Sequence, residues 1–121
     1  MPITSYRDLD VYRRAMNILV DVHRMTAGFP AFEQRELGSQ IRRASKSVPI
    51  DIAEGYGRRK SEKDFKSFLA TAMGSANEMV VCLEISKLLG YAREQDCDTL
   101  IREYEEVGKM LNGLITNWRQ F

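Results

Sequence analysis

The stretch Ala53 to Asp64, AEGYGRRKSEKD, carries the chain's densest chemistry: Gly55-Tyr56-Gly57, then three successive cations, Arg58, Arg59 and Lys60. Glycines ahead of a helix can cradle phosphate when a β-strand leads into them. Here there are two glycines and no strand pattern before them, so the stretch fails as a nucleotide cradle. A simpler anion site survives. Ser61-Glu62-Lys63-Asp64 has the spacing of a capped helix start, whose free backbone donors would lie beside Arg58, Arg59 and Lys60. Lys63 and Lys66 follow on that helix, and Arg42, Arg43 and Lys46 precede it, off the apolar stripe of their own helix. Residues 42–66 hold eight Lys/Arg against four Asp/Glu, which suits a phosphate backbone bound more weakly as salt rises. The alternative is a solvated turn whose cations pair with Glu54, Glu62, Asp64 and the acidic final helix.

Other reactive residues assemble into nothing comparable. The only histidine is His23, and position 20 is Val20, so the Glu-x-x-His pairs of di-iron bundles are missing. A Ser-His-Asp or Cys-His centre would also need His23, and no nucleophile motif accompanies it. Asp51 and Glu54 stand at i, i+3 but lack a partner base, so they are read as binding backbone or cations. Cys82 and Cys97 match no metal spacing, and Cys82 reads as a small buried hydrophobe. The expectation is a protein without catalytic residues, metal or cofactor.

These residues must be positioned by helices. Val11, Ala15, Ile18, Val22 and Met25 share one face of a helix predicted over 9–26, with Asp8 available to cap its start. Leu37, Ile41, Ala44, Val48 and Ile52 form the stripe of a second helix over about 32–54. Pro49 lies inside it, predicting a kink near Ser45–Val48, and Gly55 or Gly57 would be its left-handed terminator. A third helix starts after Ser61, with Phe65, Phe68, Leu69, Ala72, Ala76, Met79, Val80 and Leu83 inward, and closes near Leu89-Gly90. In the fourth, Leu100, Tyr104, Val107, Leu111, Leu114 and Trp118 step by four and three. The predicted fold is all-α: one domain, residues 1–121, forming an antiparallel up-and-down four-helix bundle.

Two apolar arcs exceed what such a core needs. Tyr12, Met16, Leu19 and Val20 adjoin the first stripe, and Ala70, Met73, Val81 and Leu88 lie off the third, which predicts self-association. Charge is balanced overall at +1 but unevenly placed. Residues 31–66 carry nine Lys/Arg and six Asp/Glu, whereas 67–121 carry five and eight. Any nucleic-acid contact therefore has to be a local patch. MPITSYRDLD has no signal-peptide core, and no apolar run reads as long enough to span a membrane; the expected location is the cytoplasm, with no membrane partner.

Several segments together resemble a known family. They are Tyr6-Arg7-Asp8-Leu9-Asp10-Val11-Tyr12, Gln40 to Ser45, Ser47-Val48-Pro49-Ile50-Asp51-Ile52-Ala53-Glu54-Gly55, Phe68-Leu69 with Ala72 to Ser75, and Leu88 to Tyr91. This pattern resembles the four-helix-bundle proteins encoded in intervening sequences of bacterial large-subunit ribosomal RNA genes. The resemblance implies a barrel-like homopentamer. It also implies distant kinship with accessory proteins of diversity-generating retroelements, which bind a reverse transcriptase and nucleic acid through a basic surface. Arg42, Arg43, Glu54 and Arg58 fall in the recurrent motif, with Pro49 and Gly55 as its structural members. Asp51 stands where the family usually has Asn. The resulting expectation is a non-enzymatic, self-assembling accessory protein contacting RNA or DNA through Arg42, Arg43, Lys46, Arg58, Arg59, Lys60 and Lys63. The competing expectation is an oligomeric scaffold that docks a protein and touches no nucleic acid.

Overall fold

The computed structural model describes residues 2–117. Its helices are α1 (Asp10–Asn17), α2 (Leu19–Ala27), α3 (Leu37–Gly57), α4 (Glu62–Leu88) and α5 (Glu94–Thr116). Short 3-10 turns occupy Tyr6–Asp8 and Ala31–Glu33, and the described residues contain no strand. α1 and α2 make one arm. Ile18 between them keeps helical angles, donates to the Arg14 carbonyl at 3.3 Å and accepts from the Val22 N–H at 3.1 Å. The chain is therefore a bundle of four helical arms.

The apolar stripes meet in a common core. Val11, Ala15, Ile18 and Val22 from the first arm pack with Ile41, Val48 and Ile52 of α3, Phe65, Leu69, Met79 and Leu83 of α4, and Tyr104, Val107 and Leu111 of α5. Of the remaining stripe residues, Met25, Phe68, Val80 and Leu114 are half-buried, and Trp118 lies outside the described residues. Both the first arm and α4 pack against α3 and α5, so the first arm and α4 occupy opposite corners of the bundle. Cross-links confirm antiparallel neighbours: Gln40 with Glu78 and Ser47 with Ser75 join α3 to α4 in opposite chain order. Three buried hydroxyls bond carbonyls one turn back: Thr26 to His23, Ser45 to Arg42 and Ser86 to Cys82.

α3 runs through Pro49, as its apolar stripe predicts; Val48, Pro49 and Ile52 are all buried, so packing holds a turn that lacks one donor. Other local expectations change. Neither Gly55 nor Gly57 is a left-handed terminator. Both are helical, and the only positive φ among the described residues is +73° at Gly90. There the Tyr91 N–H reaches the Ser86 carbonyl at 2.9 Å and the Gly90 N–H reaches Lys87 at 3.1 Å, a Schellman ending for α4. Gly55 instead permits close approach: a Cβ there would stand 3.0 Å from Phe68 Cβ. Asp8 does not cap α1, which begins after Leu9 with no side-chain cap. It closes the preceding turn, accepting from the Thr4 and Ser5 backbone N–H groups at 2.9 and 3.1 Å, and the Thr4 bond leads in lowering its pKa.

One expectation about membranes also changes. α4 is long and apolar enough, by length and composition, to cross a bilayer. It serves here as a core helix between α3 and α5, yet only 33% of its most apolar 18-residue stretch is buried within the chain.

Candidate nucleic-acid interface

The cationic stretch forms the turn from α3 to α4 at one end of the bundle. α3 ends at Gly57, and the Arg58 N–H caps it by bonding the Glu54 and Gly55 carbonyls at 3.2 and 3.1 Å. Ser61 Oγ accepts the Asp64 N–H at 3.2 Å, so the predicted N-cap forms. Between these caps the arginines are held by rings. The Arg58 guanidinium lies 5.3 Å from the Phe68 centroid. That of Arg59 lies 4.1 Å from the Tyr56 centroid and donates to the Tyr56 carbonyl at 3.0 Å. Such stacking contributes about 0.5–1 kcal/mol at exposed sites and fixes otherwise mobile side chains.

Among the described residues, Arg43, Lys46, Arg58, Arg59, Lys60 and Lys63 have no carboxylate within ion-pair distance; of the basic segment only Lys66 does, pairing with Glu62 at 2.7 Å. Arg58, Lys60 and Lys63 are exposed. The acidic partners suggested for this turn are thus largely not engaged. Glu54, exposed on α3, likewise makes no ion pair within the chain among the described residues.

The structure divides the basic segment rather than gathering it. Arg43 and Lys46 are exposed on α3 and border a shallow groove with Ser39, Ser47 and Ile50. Helical rise places them about 18–22 Å along the axis from Arg58. Arg42 is not a free cation. Its guanidinium donates to Gln34 twice, to the carbonyl at 2.6 Å and to Oε1 at 3.3 Å. Gln34 in turn donates to the Thr26 and Phe29 carbonyls at 2.7 and 3.1 Å. Arg42 therefore pins the α2–α3 connection.

Asp51 faces α4. Ser75 Oγ donates to Ser47 Oγ and Ser47 donates to Asp51, each at 3.2 Å. Desolvation raises the Asp51 pKa, the Ser47 bond opposes that, and the Glu54 charge adds to it. Pro49 and Gly55 are buried.

The fold adds a cation that sequence reasoning left aside. The turn Tyr6–Asp8 packs on α3, and the antiparallel order brings the start of the first arm to the end of α3 where Arg58 lies. Exposed Arg7, 4.6 Å over the Tyr6 ring, thus belongs to the same bundle end. The signal for it is topological: once the bundle is antiparallel, the first residues and the α3–α4 turn must be neighbours.

Among the described residues, no group of three or more His, Cys, Asp or Glu could hold a metal. His23 Nδ1 bonds the Leu19 carbonyl at 3.0 Å. Cys82 and Cys97 are free and buried, and burial, assisted by Glu78, pushes the Cys82 thiol up to about 11.

Comparison with known proteins agrees with this architecture. A crystal structure from Bacteroides thetaiotaomicron, described as a protein of unknown function from the S23 ribosomal protein family, superposes with a TM-score of 0.77. The match is 24% identical and covers 88% of this chain and 96% of the other, which is a likeness of fold. No curated protein matches the sequence. Residues 7–113 match the family described as 23S rRNA-intervening sequence protein, a span that includes the first three arms, the cationic turn and most of α5. The chain belongs to the 23S rRNA-intervening sequence protein family.

Proposed function

We propose that this protein is a non-enzymatic, self-assembling helical bundle that binds phosphate backbones as a cytoplasmic ribonucleoprotein or reverse-transcriptase accessory. The observation that carries the reading is the bundle end that bears Arg58, Arg59, Lys60 and Lys63, with Arg7 on the turn packed against α3. Three of these side chains, Arg7, Arg58 and Arg59, are pre-positioned by rings, and none of the five pairs with a carboxylate among the described residues. Holding cations apart from anions is unfavourable unless solvent or an anionic partner compensates, and a phosphodiester chain is such a partner. The test is binding of labelled structured RNA and duplex DNA by wild type and by an Arg58→Glu/Arg59→Glu variant. The reading expects binding by wild type and its loss on reversal. Equal binding by both removes these arginines from the interface.

Self-assembly rests on apolar surface at two opposite corners. On the first arm Met16 and Val20 are 43% and 56% exposed. On α4 Val81, Ile85 and Leu88, one stripe by their spacing, are 53%, 37% and 84% exposed. Two different apolar faces on opposite corners favour a head-to-tail contact, first arm of one copy on α4 of the next, and such contacts form a ring when their rotation closes. The number five comes from the family resemblance. A ring repeats the cationic end around its axis and multiplies phosphate contacts. Light scattering should give a multiple of the 13.9 kDa chain, and Val81→Glu/Leu88→Glu should reduce it. A monomeric wild type would remove the ring.

A further inference from the structure

Resting on the phosphate-binding reading above, we infer that the preferred ligand is double-stranded nucleic acid, contacted through phosphates, and not unpaired bases. Proteins that hold single strands interleave cations with open aromatic faces on which bases stack. Here the rings nearest the cations are taken: Tyr56 is buried with Arg59 over it, and half-buried Phe68 carries Arg58. Tyr6 is half-buried beneath Arg7 and meets Tyr12 edge-on, with centroids 4.9 Å apart. The one exposed aromatic residue among the described residues is Phe32, which sits in the α2–α3 connection at the opposite end of the bundle, with its ring 6.3 Å from Tyr91. Among the described residues, the cationic end therefore offers charge and hydrogen-bond donors but no open ring on which a base could stack.

Rigidity points the same way. Arg58 and Arg59 cap and follow α3, Lys63 lies in the first turn of α4, and Arg7 sits on a turn packed against α3. Their spacing is set by the bundle and cannot follow a flexible strand. The second pair, Arg43 and Lys46, lies about 18–22 Å along α3, or about five to six base pairs of duplex. Fixed cations match a ligand whose phosphates are themselves fixed. Duplexes also carry one charge per about 1.7 Å of axis, twice that of a strand.

The magnitude follows from counterion release. With the four cations Arg58, Arg59, Lys60 and Lys63 engaged, the salt exponents are about 3.6 for duplex and 2.8 for single strand. Starting from equal affinity at 1 M salt, that difference alone favours duplex about sixfold at 0.1 M. The experiment is fluorescence anisotropy of the full chain with a 20-base-pair RNA duplex, the matching DNA duplex and an unstructured 20-nucleotide oligo-uridine, at about 0.1 M salt. The expected result is comparable binding of both duplexes, each about sixfold tighter than oligo-uridine. Oligo-uridine binding as tightly as the duplexes, or more tightly, overturns the duplex inference and leaves phosphate binding standing. Preference for RNA duplex alone would assign the contact to sugar hydroxyls and also overturn it. Binding of none of the three overturns the phosphate reading itself.

Discussion

Replacing Gly55 by alanine tests how closely α3 and α4 must pack beside the cationic turn. The new Cβ would stand 3.0 Å from Phe68 Cβ, and 3.5 Å from Leu69 Cδ2 and the Phe65 carbonyl oxygen. A clash between two Cβ atoms cannot be relieved by a rotamer change, because each is fixed to its backbone. The helices must separate by a few tenths of an ångström to restore ordinary contact, and Phe65 and Leu69 beside the clash are fully buried. Overpacking of this kind costs about 1–3 kcal/mol. Alanine also gains up to about 1 kcal/mol of helix propensity over glycine, which would mask part of the loss. Gly108, within α5, removes that ambiguity, since a Cβ there meets nothing within 4 Å. Gly108→Ala should therefore stabilise by up to about 1 kcal/mol, and Gly55→Ala should fall below it by about 1–3 kcal/mol. For a chain of this size the gap corresponds to roughly 3–6 °C in Tm per kcal/mol. Urea unfolding of the two variants beside wild type measures it. Equal stabilisation by both substitutions would refute the close α3–α4 approach.

Other substitutions separate structural from ligand-facing residues. Arg42→Ala should destabilise by about 1–2 kcal/mol by releasing Gln34, and lysine should rescue it poorly because it lacks the guanidinium's paired donors. Arg43→Ala, exposed and unpaired within the described residues, should leave the melting temperature nearly unchanged. Tyr104 is buried, its hydroxyl has no hydrogen-bond partner among the described residues, and burial raises its pKa; Tyr104→Phe should match wild type or gain about 1 kcal/mol in urea unfolding. Asp51 has a folded pKa raised above its ordinary value, so its favourable contribution is present below pH 3.8 and lost as pH rises through the folded pKa. Asp51→Asn should consequently raise the melting temperature at pH 7 and have little effect near pH 3, as thermal scans across that range would register.

The helices were legible because four-and-three spacing alone puts Ile41, Val48 and Ile52, or Leu100, Tyr104, Val107 and Leu111, on one face. Each of these is buried. Gly55 was legible as a special position but not as the right kind. Its constraint is the nearness of Phe68, thirteen residues on, which no local pattern records. Arg42 looked like a free cation since its partner, Gln34, lies in an aperiodic connection. Arg7 joined the cationic end only through topology. The division of the basic segment had a simpler cause: residues close in sequence on a helix are still separated by 1.5 Å of rise per residue.

The central claim is that the α3–α4 turn binds phosphate, and the salt dependence of binding tests it most directly. Labelled structured RNA would be titrated with the full chain between 50 and 200 mM salt. Four engaged cations, Arg58, Arg59, Lys60 and Lys63, predict a log–log slope of about −3.6, a loss of roughly 150-fold across that range. A ring engaging several protomers would steepen it. Binding that is insensitive to salt, or absent at 50 mM, would contradict the account and leave these cations as the solvated surface of a capped turn.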